Sequence, residues 1–214
     1  MPKKLSQKKP QKAPTSGQGK LAAERIRETA RDLFYRQGIR AVGVDEIVAR
    51  AGVTKPSLYR SFASKDELAT ACLRDRSDDY LRRFDAALAE YPDDPRRGFR
   101  LWLEQLSLRA TKPNYRGCAL TNAAVEYPER EHPARLVAAE NKREFRMMLK
   151  NAATAMGARE PSLLADGLLL LIEGAYASGQ LFGPKGPARI VTQAADALIE
   201  TQCGLASSER ETRS

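Results

Sequence analysis

Apolar residues recur along this chain at spacings of three and four, the period of a helix with one buried face, and Gly and Pro divide the pattern into separate elements. Leu21 to Gln37 reads as a leading helix with Ile26, Ala30, Leu33 and Phe34 on one stripe and Gly38 as its stop. Val44, Ile47, Val48 and Ala51 form a second, shorter stripe that ends at Gly52, and Leu58 and Phe62 face inward from a third segment starting at Lys55. Ser64-Lys65-Asp66-Glu67 is a capping box, so a fourth helix starts there and runs past Leu73, Tyr80, Leu81, Phe84 and Leu88 until Pro92 and Pro95 end it. Further helical stripes follow at Arg97–Ala110, Ala134–Met156 and Ser162–Leu181, with a last one at Ile190, Val191, Ala194, Ala195, Leu198 and Ile199. The pattern predicts an all-α protein.

The stretch from Val44 to Phe62 has the layout of a helix-turn-helix. Gly52 supplies a left-handed residue between two short helices, Thr54 is a good N-cap for the second, and Pro56 falls in its first turn, where a missing N–H costs nothing. Lys55, Ser57, Tyr59 and Arg60 remain on the outer surface of that helix. A cation, two hydroxyls and a guanidinium suit phosphate oxygens and base edges. Lys65 opposes the dipole at the start of the next helix, so a phosphate bound there is its expected partner, with Thr54 as a second clamp.

Residues 21 to 73 resemble the DNA-binding domain of TetR-family transcriptional regulators. The likeness is carried by Leu33, Phe34 and Gly38 closing the first helix, by VDEIVARAGV, by Thr54, Ser57, Leu58, Tyr59 and Phe62, and by Ser64, Lys65, Glu67 and Leu68. It covers about a quarter of the chain. Gly43 stands where many members have Ser or Thr, which implies a weaker cap. The resemblance implies a DNA-contacting set of Gly43, Val44, Thr54, Lys55, Pro56, Ser57, Tyr59, Arg60 and Lys65. It also implies an operator of double-stranded DNA, a homodimer and, more often than not, a repressor.

Charge adds a second feature. The net charge is +9, and six lysines with no acid among the first twenty residues account for two thirds of it. This Pro-, Gln- and Ser-rich arm, residues 1–20, cannot bury enough surface to fold alone. It could follow phosphates beside the recognition helix or simply solubilise the chain. Three scattered cysteines without CxxC spacing, and no secretory core near the N-terminus, suggest a reducing cytoplasm. No apolar run is expected to span a bilayer. A nucleophile with its base, a metal cluster and a phosphate-cradling loop are all missing, so neither an enzyme nor a cofactor is expected; the lone His132 reads as structural.

Behind the DNA-reading part, residues 74–205 are expected to form a helical ligand-binding and dimerisation domain, followed by a polar tail at 206–214. Arg116-Gly117-Cys118 followed by Asn122-Ala123-Ala124 and Glu126 is similar to a segment that, in one branch of the same family, leads into a helix lining the effector cavity. Asn122 and Glu126 could orient a ligand or satisfy nearby backbone groups. Cys118 could sense redox state or pack inertly. The expected pocket comprises Trp102, Leu106, Cys118, Leu120, Asn122, Glu126, Phe145, Met148, Glu173 and Tyr176, and its effector is expected to be small and apolar. Gly174, Ala175, Ala177, Ser178 and Gly179 let another helix approach closely, so the two C-terminal helices could form a four-helix dimer interface or an internal hairpin. A helical protein- or peptide-binding module without an effector is the alternative reading.

Overall fold

The computed structural model describes residues 16–204; the bulk of the expected basic arm, up to residue 15, and the tail from 206 lie outside the described residues. Among those described, the regular elements are helices, confirming the all-α expectation: α1 (Ser16–Gln37), α2 (Val44–Ala51), α3 (Lys55–Ser61), α4 (Lys65–Ala89), α5 (Pro95–Ala110), α6 (Ala119–Glu126), α7 (Pro133–Ala155), α8 (Pro161–Phe182) and α9 (Val191–Cys203), with two short 3-10 turns between α8 and α9. Helix α1 starts five residues earlier than its apolar stripe predicts, taking in residues 16–20. Once the amphipathic part is nucleated, each added residue gains a backbone hydrogen bond at little extra cost.

Two hydrophobic clusters share α4 as their common wall. The first gathers Ile26, Leu33, Ile47, Leu58, Phe62, Leu68 and Leu73 from α1–α4, and also Leu120 and Ala123 of α6 and Val137 of α7. The packing of the helix-turn-helix segment therefore does not stop where α4 leaves it. The second joins the later part of α4 to α5, α7, α8 and α9 around Trp102, Phe84, Phe99 and Phe145, whose rings meet largely edge to face. Asn141 of α7, 1% exposed, donates to Ser77 of α4 at 2.9 Å, a polar tie inside that seam with both partners buried.

By length and composition Pro161–Lys185 could cross a membrane, contrary to expectation. In the fold, Leu164, Leu168, Ile172, Ala175 and Tyr176 turn one face of α8 into the core. Its other face leaves Leu163, Leu170 and Leu181 exposed, Leu170 to 75%. His132 serves structure, as expected: its ring stacks on Tyr127 at 3.7 Å and its Nδ1 accepts from Ala134 N at the start of α7.

Candidate functional site

The turn between α2 and α3 is built as its sequence demands. Gly52 has φ +61° and ψ +42°, and its N–H and that of Val53 close onto the last carbonyls of α2. The Arg25 guanidinium of α1 lies over this glycine, 2.7 Å from where a Cβ would stand. An alanine there would meet both backbone strain and that side chain. Helix α2 begins on Gly43 without a side-chain cap, and Val44 is half-buried beside it.

On α3 the polar side chains are tied into one lattice centred on Ser57. Thr54 Oγ1 accepts from Ser57 N at 3.4 Å and lies 3.0 Å from Ser57 Oγ, which in turn accepts from Arg60 Nη2 at 2.8 Å. Lys55 pairs with Asp45 of α2 at 2.9 Å, and this carboxylate raises the lysine above its ordinary value. Thr54, Lys55, Pro56, Tyr59 and Arg60 are exposed while Leu58 is fully buried, so anchor and polar surface occupy opposite sides of one short helix. Tyr59 is 48% exposed.

Lys65 departs from its expected role. Its Nζ donates to the carbonyls of Ile39, Arg40 and Val42 at 3.0, 3.4 and 3.1 Å, tying the α1–α2 loop to the start of α4. All three N–H bonds are occupied, and none is left for a phosphate. The capping box forms, with Ser64 Oγ accepting from Glu67 N at 3.0 Å, although Glu67 reaches back to Ala63 N rather than to Ser64.

The residues expected to line a pocket separate into four groups. Trp102, Cys118, Leu120 and Tyr176 border a cavity of about 350 Å³ between α4, α5, the loop before α6, and α8. Leu106 and Phe145 are 0% exposed and form the packed core beneath it, and Met148 packs against that core; helical period marks a face as buried without telling whether a void or a side chain meets it. Glu173 is withdrawn by partners: Lys142 Nζ meets its Oε1 at 2.5 Å and Thr121 Oγ1 donates to its Oε2 at 2.9 Å. Burial pulls the Lys142 ammonium down, but Cys118 and the Glu173 carboxylate outweigh it and hold the group above its ordinary value.

Asn122 and Glu126 border a neighbouring cavity of about 230 Å³ between α1, α4 and α6, where both satisfy backbone groups. Asn122 Nδ2 donates to Arg116 O at 2.6 Å. Glu126 Oε2 accepts from Arg40 N at 2.9 Å, and Arg40 Nη1 donates to Glu126 O at 3.0 Å. Gly38, at φ +93°, has this carboxylate 3.0 Å from where a Cβ would stand. At the other end of α6, Tyr35 of α1 accepts from Arg116 N at 3.0 Å and donates to Gly117 O at 3.4 Å. Thus α6 is fastened at both ends to α1 and the loop behind it, while its first residues border the larger cavity. Sequence reasoning missed Arg76, Tyr80 and Arg109, which also border that cavity. Arg76 and Tyr80 are four apart, and Arg109 is seven from Trp102, so helical spacing had placed them on the right faces.

The model of the bacterial regulatory proteins of the tetR family matches residues 26–72, the segment that holds this helix-turn-helix. A TetR-family transcriptional regulator from Streptomyces coelicolor superposes with a TM-score of 0.80 at 28% identity, covering 87% of this chain and 97% of its own. A protein of Streptomyces avermitilis designated a TetR-type transcriptional regulator is 32% identical with a TM-score of 0.73, covering 85% of this chain and 97% of its own. The transcriptional activator FasR of Mycolicibacterium smegmatis is 41% identical over 68 residues, which is 32% of this chain and 31% of that protein. The regulator LmrA of Bacillus subtilis is 33% identical over 85 residues, 39% of this chain and 45% of that protein. The curated relatives are thus matched over less than half their length, whereas the Streptomyces structures are matched through both halves of the fold. These relatives are regulators rather than enzymes. With the helix-turn-helix and the helical body behind it both accounted for, this chain belongs to the TetR family of transcriptional regulators.

Proposed function

We propose that this protein is a ligand-responsive repressor that reads a pseudo-palindromic operator as a homodimer in the cytoplasm and leaves it when a small molecule occupies the larger cavity. Regulators of this family bind DNA operators and act as dimers. The observation that carries the reading is the organised polar face of α3. Ser57, Thr54 and Arg60 hold one another in place, so little side-chain freedom remains to be lost on docking in a major groove. Gly43, Val44, Thr54, Lys55 and Pro56 flank this face, and Tyr59 stands out from it. Two copies would read half-sites about 34–36 Å apart.

Dimerisation is assigned to α8 and α9: the outer face of α8 carries Leu163, Leu170 and Leu181, and Ile190 is exposed just ahead of α9. Switching is assigned to α6. A molecule that displaces Gly117 to Leu120 would pull on Tyr35 at one end and on Arg40 through Glu126 at the other, tilting α1 and with it α3. A coupling of about 1–3 kcal/mol is the usual size for such effects.

The test is a footprint of the intergenic DNA beside the protein's own gene, followed by binding titrations over a salt series. Affinity is expected to fall steeply with salt, and Tyr59→Ala is expected to lose the specific complex while circular dichroism stays unchanged. An undiminished complex for Tyr59→Ala would remove α3 from the interface.

A further inference from the structure

The larger cavity is chemically unlike the apolar pocket its sequence suggested. Trp102, Tyr80 and Tyr176 supply aromatic walls, with Tyr80 5.8 Å from Trp102 and 6.3 Å from Tyr176 between ring centres. Cations line the same cavity. Arg76 and Arg109 are half-buried, and Arg83 and Lys112 stand exposed at the rim. The only acid bordering the cavity among the described residues is Asp79, and Arg82 holds it. Burial lowers the Arg109 guanidinium below its ordinary value; Tyr176 opposes this, and the like charge of Arg83 adds to it.

Hydrogen bonding points the same way. Among the described residues, four buried side-chain polar atoms lack a partner, and three sit on residues that border this cavity: Trp102 Nε1, Tyr80 Oη and the Nε of Arg76, which borders the smaller cavity as well. The Tyr80 hydroxyl lies close to that of Tyr176 but outside hydrogen-bond geometry. All three are donors, and Trp102 is 0% exposed. A buried donor without an acceptor is costly, and native proteins leave few of them. The Arg76 guanidinium lies over the Tyr35 ring, and neither it nor that of Arg109, the second half-buried guanidinium at this cavity, has a carboxylate partner among the described residues.

Resting on the effector-responsive reading above, we propose that this cavity binds a small aromatic carboxylate, its ring against the aromatic wall of Tyr80 and Tyr176 and its oxygens accepting from the guanidiniums of Arg76 and Arg109. A cavity of about 350 Å³ admits one or two fused rings with a short acidic side chain. A cation is disfavoured by four like charges. A neutral apolar molecule would leave the two half-buried guanidiniums without a counter-charge.

The full chain is titrated calorimetrically with phenylacetate, 3-phenylpropionate and 2-naphthoate, and with the matching primary amides. Trp102 is the sole tryptophan, so its emission gives an independent reading. At least one acid is expected to bind about tenfold or more tightly than its amide, and Arg109→Gln and Arg76→Gln are expected to abolish that preference. Arg109→Lys, which keeps the charge, should retain part of it, and circular dichroism confirms the fold of each variant. Equal binding of acid and amide, an acid preference that survives both Arg→Gln changes, or no acid binding at about 10 mM would overturn the proposal. Operator affinity with and without the acid is measured separately. If the acid binds as described but the complex does not dissociate, the ligand class stands and the switching in the proposed function fails.

Discussion

Replacing Lys65 with Met separates two roles that its position allows. The substitution keeps the aliphatic stem and removes the ammonium to which Ile39, Arg40 and Val42 present their carbonyls at 3.0, 3.4 and 3.1 Å. A hydrogen bond from a charged donor contributes roughly 1.5–3 kcal/mol when well buried. Lys65 is half-buried and one of its contacts is long, so the two shorter bonds are taken at about 1 kcal/mol each after solvent screening. The expected loss of about 2 kcal/mol corresponds to a melting point lower by about 4–8 °C for a chain of this size. Calorimetry at fixed protomer concentration measures it, because a dimer's melting point moves with concentration. Operator affinity over a salt series supplies the second readout. With no phosphate contact removed, the slope of log affinity against log salt is expected to stay the same. A phosphate clamp on each protomer would instead flatten it by about 1.8. An unchanged melting point together with that flatter slope would refute the assignment of Lys65 as a tie between loop and helix.

Two further outcomes follow from other parts of the fold. Leu170→Glu puts a carboxylate on a position that is 75% exposed on α8; sedimentation should show a folded monomer with weakened operator binding, and a persisting dimer would place the interface elsewhere. Burial pushes the Cys72 thiol up to about 12 from its ordinary 9.0, so the unfolded chain loses this proton first as pH rises. The stability it contributes is full below pH 9.0 and is lost towards about 12. Urea midpoints at about pH 8 and about pH 10.5 should therefore fall further for the wild type than for Cys72→Ala, and equal falls would contradict the buried-thiol account.

What the sequence determined by itself was everything set by neighbours within about one helical turn. The stripes of α1, α2 and α4, the Gly52 turn, the Thr54 cap and the Ser64 box are written in residues a few positions apart, and each forms. With the family resemblance, these locate the helix-turn-helix and the outward side chains of its second helix. The reach of Lys65 was not legible, because its acceptors lie 23 to 26 residues away and only the packing of α4 on the loop after α1 brings them close. Nor was the role of Glu126, whose partner Arg40 is 86 residues distant. The cavity shows the same division. Periodicity put Trp102 and Phe145 on inward faces alike, yet one borders a void and the other fills the core. That difference is decided by how α4, α5 and α8 fit together, since whether a buried face meets space or a side chain depends on the shape of the helix opposite, which no local pattern encodes.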